Sequence, residues 1–133
     1  MNLVPESHRD LLRDDVKAFA YLATIMASGA PQVTPVWFNT DGMHILVNTA
    51  IGRIKDRNMR ARPRVTLCIV DPNNPYRYLQ IRGKVIEKTT SGADAHIDAL
   101  SYKYTGNPKY QNRNPGEKRI TYKILPEKVD AHN

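Results

Sequence analysis

Three clusters of turn-forming residues cut much of the chain into short apolar pieces: Ser28-Gly29-Ala30-Pro31, Asp41-Gly42 and Asp71-Pro72-Asn73-Asn74-Pro75. Backbone N–H and C=O groups in such pieces must pair with neighbouring segments if they are to be buried. Between the turns the residue types favour strands. Residues 18–27 (AFAYLATIMA) are apolar throughout, and length alone does not separate helix from buried strand there. The aromatic and β-branched content (Phe19, Tyr21, Thr24, Ile25) and the turn that follows predict a strand and a hairpin. Residues 32–40 (QVTPVWFNT) carry β-formers on both sides of Pro35. Proline cannot donate to a strand ladder, so this segment is expected at an edge or a bulge. Asp41-Gly42 predicts a hairpin into a third strand, MHILVNT. RVTLCIVD places Val65, Leu67 and Ile69 on one face. In YRYLQIRGKVIEKT, Leu79, Ile81 and Val85 point one way, with Gly83 between them, while Tyr78, Gln80, Arg82 and Lys84 point the other. RITYKIL, with Ile120, Tyr122 and Ile124 alternating, predicts a sixth and last strand.

Helical signals are fewer. Residues 5–15 predict a short N-terminal helix with Pro5 before it and Ser7 as cap, lying on the surface because its apolar face is narrow. Residues 53–63 (RIKDRNMRARP) predict a basic helix stopped by Pro63. Residues 91–106 predict a helix with Ile97, Leu100 and Tyr104 on one face and Ser91 as cap. Residues 107–118 read as a polar loop. A length of 133 residues suits one domain spanning 1–133. Six strands at short spacing with two or three short helices predict an antiparallel barrel.

Charge narrows the partners. Lys and Arg number 20 against 13 Asp and Glu, a formal net charge of +7. The balance suits an anionic partner: nucleic acid, a membrane surface or a phosphorylated small molecule. No apolar run approaches the roughly 18 residues of a membrane span, and the N-terminal residues form no signal-like apolar region. A cytoplasmic protein is expected. The single cysteine, Cys68, allows no intrachain disulfide and no Cys-rich zinc site. Cys68 lies in an apolar strand, where burial raises a thiol's pKa, and is not expected to act as a nucleophile.

The strongest candidate site is the entry to the basic helix. Around Asn48-Thr49-Ala50-Ile51-Gly52-Arg53-Ile54-Lys55 a strand ends in small polar residues, a glycine permits close approach, and a helix N-terminus follows. Unpaired N–H groups, the helix dipole and two cations together suit a phosphate. The bland reading of the same residues is a solvated basic helix face. Arg82 and Lys84 form a second candidate, either solvated or facing an anion in a cleft or a second subunit. Trp37 and Pro35 form a third: core packing, or the floor under a flat aromatic ring. No Ser-His-Asp arrangement, carboxylate pair, Walker loop or GxGxxG is present, so any catalysis is expected to come from a bound cofactor. Tyr76, Tyr78 and His44 are proton donors only if they reach the site.

Taken together, PQVTPVWF (31–38), the Asp-Gly turn with ILVNT (45–49), GRIKDRNMRARPRVTLCIVD (52–71), NPYRYLQIRGKV (74–85) and the closing LPEKVDAH resemble the pyridoxamine-phosphate-oxidase-like superfamily of flavin and deazaflavin proteins. The likeness covers roughly residues 8–130. It implies a split β-barrel, FMN-binding-like, built as an antiparallel six-stranded Greek key with short peripheral helices. The pattern from Thr49 through Gly52, Arg53, Lys55 and Asn58 to Pro63-Arg64-Val65 is similar to the branch that binds the deazaflavin coenzyme F(420). FMN-binding members share the layout.

The resemblance implies a homodimer with cofactor sites at the subunit interface. Thr49, Arg53 and Lys55 would hold the phosphate or the neighbouring tail. Thr34, Pro35 and Val36 would line the tricyclic ring. Asn58 would serve the site or brace the helix, and Arg82, with Lys84, would reach the cofactor from the partner subunit. The Arg/Trp-rich tail of the vitamin-metabolism oxidases is missing here, which argues against pyridoxamine phosphate as substrate. The expectation is an oxidoreductase passing a hydride from reduced F(420) to a small organic acceptor, with no nucleic acid and no membrane involved. The alternatives are an FMN-dependent oxidoreductase, a non-catalytic carrier of the cofactor and a nucleic-acid-binding barrel.

Overall fold

The computed structural model describes residues 2–133. A short 3-10 helix (Glu6–Leu12) leads into strand β1 (Ala20–Ile25), then β2 (Pro31–Val36), β3 (Phe38–Thr40) and β4 (Ile45–Ala50). Helix α1 (Ile54–Ala61) follows, then β5 (Arg64–Asp71), β6 (Asn74–Thr89), helix α2 (Ala93–Thr105) and β7 (Arg119–His132). All strand pairs are antiparallel, in the order β2-β1-β5-β6-β7-β4-β3.

The two edges of this sheet are β2 and β3, and only Trp37 separates them in the chain. The sheet must therefore curl until its edges nearly meet, which makes a split barrel. Counting β2 and β3 as one strand broken at Trp37 recovers the six expected strands. The strand after the α1 crossover, β5, returns beside β1, which is Greek-key connectivity. Pro35 stands on the edge strand β2, where its missing N–H breaks no interior ladder.

Alternation fills the barrel. Ala20 and Leu22, Ile45 and Val47, Leu67 and Ile69, Leu79 and Ile81, and Tyr122 and Ile124 all point inward with Phe38. Met59 of α1 closes one end. A second, smaller cluster unites Ile97, Leu100 and Tyr104 of α2 with Trp37 and Tyr110.

One expectation is refined and three need correction. The N-terminal helix is 3-10 in geometry, and it lies against the sheet as a narrow-faced surface element, with His8 and Leu11 buried and Glu6, Ser7 and Arg9 exposed. Ser7 does not cap it. The cap position is Pro5, and the Ser7 hydroxyl bonds His8 Nδ1 at 2.8 Å, while His8 Nε2 reaches the His132 carbonyl at 2.8 Å. Helix α2 is capped by Gly92 and not Ser91, because the chain turns there through the left-handed region at φ 74°, which glycine adopts freely. The last strand continues past Pro126 to His132. The pairing slips between Arg82 and Gly83, opposite Pro126, and a bulge absorbs the residue that cannot donate.

Gly83 is required by that close approach. A Cβ there would stand 2.7 Å from the Leu125 carbonyl oxygen and 2.8 Å from Ile124 Cγ2. Gly83→Ala should destabilise the barrel by about 1–3 kcal/mol, the usual effect of overpacking. Urea unfolding checks this, and a midpoint equal to that of the parent would refute it.

Candidate functional site

The split in the barrel exposes a cavity of about 220 Å³ beside the β2–β3 break. Pro35, Val36 and Trp37 line one side, Ile97, Leu100 and Tyr110 the apolar back, and Asn48, Arg53, Lys55, Asn112 and Arg119 the polar side. Trp37 is held flat: it stacks on Tyr104 at 5.3 Å and 6°, and Tyr110 meets it edge-on at 6.0 Å. Tyr104 is fixed in turn by donating its hydroxyl to the Ala18 carbonyl at 2.6 Å.

The polar side is electropositive by construction. Gly52, at φ 97°, turns β4 into α1 and presents Arg53 and Lys55 at the helix entrance. Asp56 secures the turn by accepting the Gly52 N–H at 2.9 Å. Arg119 enters from the start of β7, with its side chain only 4% exposed. One carboxylate, Glu117, bridges the two arginines, at 2.9 Å from Arg53 and 3.2 Å from Arg119. Among the described residues Lys55 has no acidic partner: burial first, then the charges of Arg53 and Arg119, lowers its pKa. Three cations thus meet one carboxylate at the mouth of an apolar slot, which suits a flat group carrying an anion.

Among the described residues, two buried side-chain hydroxyls have no hydrogen-bond partner, Thr34 Oγ1 and Thr49 Oγ1, although buried polar atoms are nearly always satisfied. Both belong to residues singled out from the sequence, but neither residue lines the cavity. Arg119 Nη1, in the cavity wall, meets Glu117 Oε2 at 3.2 Å.

The eight sequence-derived residues do not all converge. Pro35, Val36, Arg53 and Lys55 line the cavity. Thr34 lies one residue before Pro35 on β2. Thr49 lies next to the lining residue Asn48 but shares the inward face of Ile45 and Val47. Asn58 is buried against β1, where its amide donates to Thr24 Oγ1 at 3.0 Å and braces α1. Arg82 stands apart, on a groove with Arg64 and Glu127, and pairs with Asp130 at 3.5 Å. None of the three possible proton donors lines the cavity. Tyr76 is 79% exposed, Tyr78 stacks on His132, and His44 pairs with Asp41 at the hairpin.

Sequence reasoning missed Arg119, Tyr110 and Asn112, and named Asn48 only as the end of the strand that leads into the basic helix. Arg119 is distant in sequence from the basic helix, and Tyr110 and Asn112 lie in a loop without periodicity. Asp98 of α2 holds that loop by accepting the Tyr110 N–H at 2.9 Å and Arg113 at 2.6 Å.

A larger hollow of about 680 Å³ lies between Asp14, Asp15, Lys17, Asn39 and the end of α2. Its buried cation, Lys103, is already engaged with the Phe38 carbonyl at 2.8 Å and the Phe38 ring at 4.3 Å. Acids and bases are mixed there, and neither of the unpartnered hydroxyls lines it either.

Comparison with known proteins places this geometry. The family model described as pyridoxamine 5'-phosphate oxidase matches residues 4–133. A solved F(420) reductase superposes with a TM-score of 0.82 at 31% identity, covering 96% of this chain and 98% of that one. A conserved hypothetical protein from Mycobacterium tuberculosis superposes at 0.72 with 21% identity, covering 98% and 86%. HupZ of group A Streptococcus superposes at 0.66 with 19% identity, covering 96% and 93%. The last two show the fold alone. Curated proteins offer no match to the sequence. Among the described residues no helix is long and apolar enough to cross a membrane.

Proposed function

The chain belongs to the pyridoxamine 5'-phosphate oxidase family, and on that premise we propose that it is an oxidoreductase using the deazaflavin coenzyme F(420) to reduce a small organic acceptor. The observation that carries this reading is the cluster of Arg53, Lys55 and Arg119 at the mouth of the slot beside Trp37. The F(420) reductase among the solved structures supports the deazaflavin over FMN. FMN, which the resemblance in the sequence also allows, is the second reading.

Arg53, Lys55 and Arg119 would hold the cofactor's phosphate. The first N–H groups of α1, which have no partner inside the helix, would face the same charge. Pro35, Val36 and Trp37 would floor the ring, and Tyr110 would close the slot from the loop side. When bound, the reduced deazaflavin supplies a hydride from its ring carbon five. The chain's share is orientation and exclusion of water, with the cations compensating charge on the ring system.

The slot is smaller than the roughly 300–1,000 Å³ of ordinary ligand sites. We therefore assign the rest of the wall to a second copy of the chain, in a homodimer with the cofactor between subunits. Arg82 would contribute only from that second copy.

Parallel titrations with F(420) and FMN test the reading. Saturable F(420) binding that exceeds FMN binding, and that weakens as salt rises, is expected. FMN binding alone would move the assignment to a flavin enzyme, and binding of neither would remove it. F(420) binding without reduction of any acceptor in a broad panel would make the protein a carrier.

A further inference from the structure

The cavity reading leaves the half-buried His96 unused. His96 of α2 lines no cavity, yet it sits in a hydrogen-bonded row that ends at Arg119. Its Nε2 lies 2.9 Å from Asn39 Oδ1, and its Nδ1 lies 3.1 Å from Asn48 Nδ2 and 3.3 Å from Thr121 Oγ1. The Asn48 amide also donates to the Ala93 carbonyl at 2.9 Å. Asn48 Oδ1, turned the other way by these two bonds, accepts Arg119 Nε at 2.8 Å. The row therefore ties β3, α2, β4 and β7 together and finishes on a guanidinium in the cavity wall.

We propose that His96 is a positioning residue for anion binding: through the Asn48 amide it fixes the direction of Arg119. This deepens the reading above and rests on it for the identity of the anion. The chemistry of the row favours one arrangement. An asparagine amide that gives its oxygen to an arginine N–H must present its N–H₂ elsewhere. The Ala93 carbonyl takes one of those protons, and His96 Nδ1 at 3.1 Å is a closer acceptor for the other than Thr121 Oγ1 at 3.5 Å. With Nδ1 bare, the ring proton sits on Nε2 and goes to Asn39 Oδ1. A proton on Nδ1 would set donor against donor and leave the amide either the long Thr121 contact or a turned-over position. In the second case its N–H₂ would face Arg119 Nε, and the arginine would lose its anchor.

The surroundings keep the ring neutral. Burial, and then the charge of Arg119, lowers the His96 pKa to about 4. Asn39, Asn48 and Thr121 contact the ring without charge, and Arg119 is the charged group felt there. The row is accordingly a fixed brace across the neutral range and not a physiological pH switch.

Two measurements decide it. Long-range ¹H–¹⁵N NMR of the unliganded protein should show His96 protonated on Nε2 and bare on Nδ1, with a slowly exchanging Arg119 Nε–H. A proton on Nδ1, or an Arg119 Nε–H in free exchange, would overturn the proposal without any ligand being involved. The second is a binding cycle with F(420) and FMN as probes. His96→Leu should weaken binding about tenfold, the scale of one charge-assisted bond. His96→Gln, which keeps one acceptor and one donor, should recover most of that loss. In an Arg119→Met background the two His96 variants should bind alike, because the row then ends on nothing. Losses that persist in that background would make His96 merely structural and refute the positioning role. If His96→Leu fails to fold, the glutamine variant and the tautomer decide alone. If the parent binds neither probe, the cofactor assignment falls, while the NMR arm still judges the brace.

Discussion

Replacing Arg53 and Lys55 together by alanine should weaken F(420) binding by about 2–5 kcal/mol while leaving the protein as stable as before. The two halves of that expectation have separate causes. Arg53 keeps 44% of its side chain exposed, and its pairing with Glu117 is a partly solvated bridge of small net value. Lys55 is half-buried among like charges with no carboxylate of its own. Its charge is a burden on the folded chain until an anion arrives, so its removal should not lower the unfolding temperature. Affinity lost without stability lost is the signature of a binding group. Fluorescence titration alongside thermal unfolding measures both, and unchanged affinity would put the cofactor elsewhere and remove the oxidoreductase reading.

The same residue sets a pH dependence. The Lys55 pKa lies below the ordinary lysine value of 10.5, so its charge fades earlier than usual as pH rises. Anion affinity should therefore begin to fall on the alkaline side sooner than for a free lysine. Lys55→Arg, which stays charged there, should remove that early decline.

How much of this could be read from residue order depends on distance along the chain. Alternation in 64–71 and 76–89 marked the barrel strands because side-chain direction repeats every two residues. The β4-to-α1 entrance was legible because Gly52, Arg53 and Lys55 are contiguous. The Pro35 edge followed from a missing N–H. Arg119 was not legible as a site residue, because it meets Arg53 only after β4 and β7 pair, through contacts such as Thr49 with Ile120. Asn48 was legible at the helix entrance, but its link to His96 was not, because that helix was read only for its apolar face. Tyr110 sits in a loop held by Asp98 through an N–H and an arginine, and no periodicity announces such a contact. The burial of His8 was not legible for a related reason: its partner is the carbonyl of His132, at the far end of the sequence.

Asp56 is where fold and site depend on the same atoms, and Asp56→Ala should destabilise the protein by about 3–5 kcal/mol. The carboxylate is 1% exposed. It accepts the Gly52 N–H at 2.9 Å, the Tyr122 hydroxyl at 2.5 Å and Arg60 at 3.1 Å. Tyr122 is fully buried in the barrel, so the bond couples the core to the first turn of α1. Alanine would strip the Gly52 N–H of its partner and loosen the turn that presents Arg53 and Lys55. Burial alone would raise the Asp56 pKa, but the bonds from Gly52, Tyr122 and Arg60 outweigh it and the net shift is downward. A carboxyl whose folded pKa lies below its unfolded value stabilises fully above the unfolded value, and that contribution is lost as pH falls through the folded one. For Asp56 the window lies below the ordinary aspartate value of 3.8. Asp41 shares that acid limb. Burial raises its pKa, but bonds from the His44 ring and the Met43 and His44 N–H groups bring it to about 2. In Asp56→Asn the acid loss of stability should therefore be shallower than in the parent but not abolished, since Asp41 still titrates. Urea unfolding between pH 2 and pH 7 measures both effects. A loss of under about 1 kcal/mol at neutral pH, or an unchanged acid limb, would mean that Tyr122 and Gly52 find other partners and that the α1 entrance does not hang on this carboxylate.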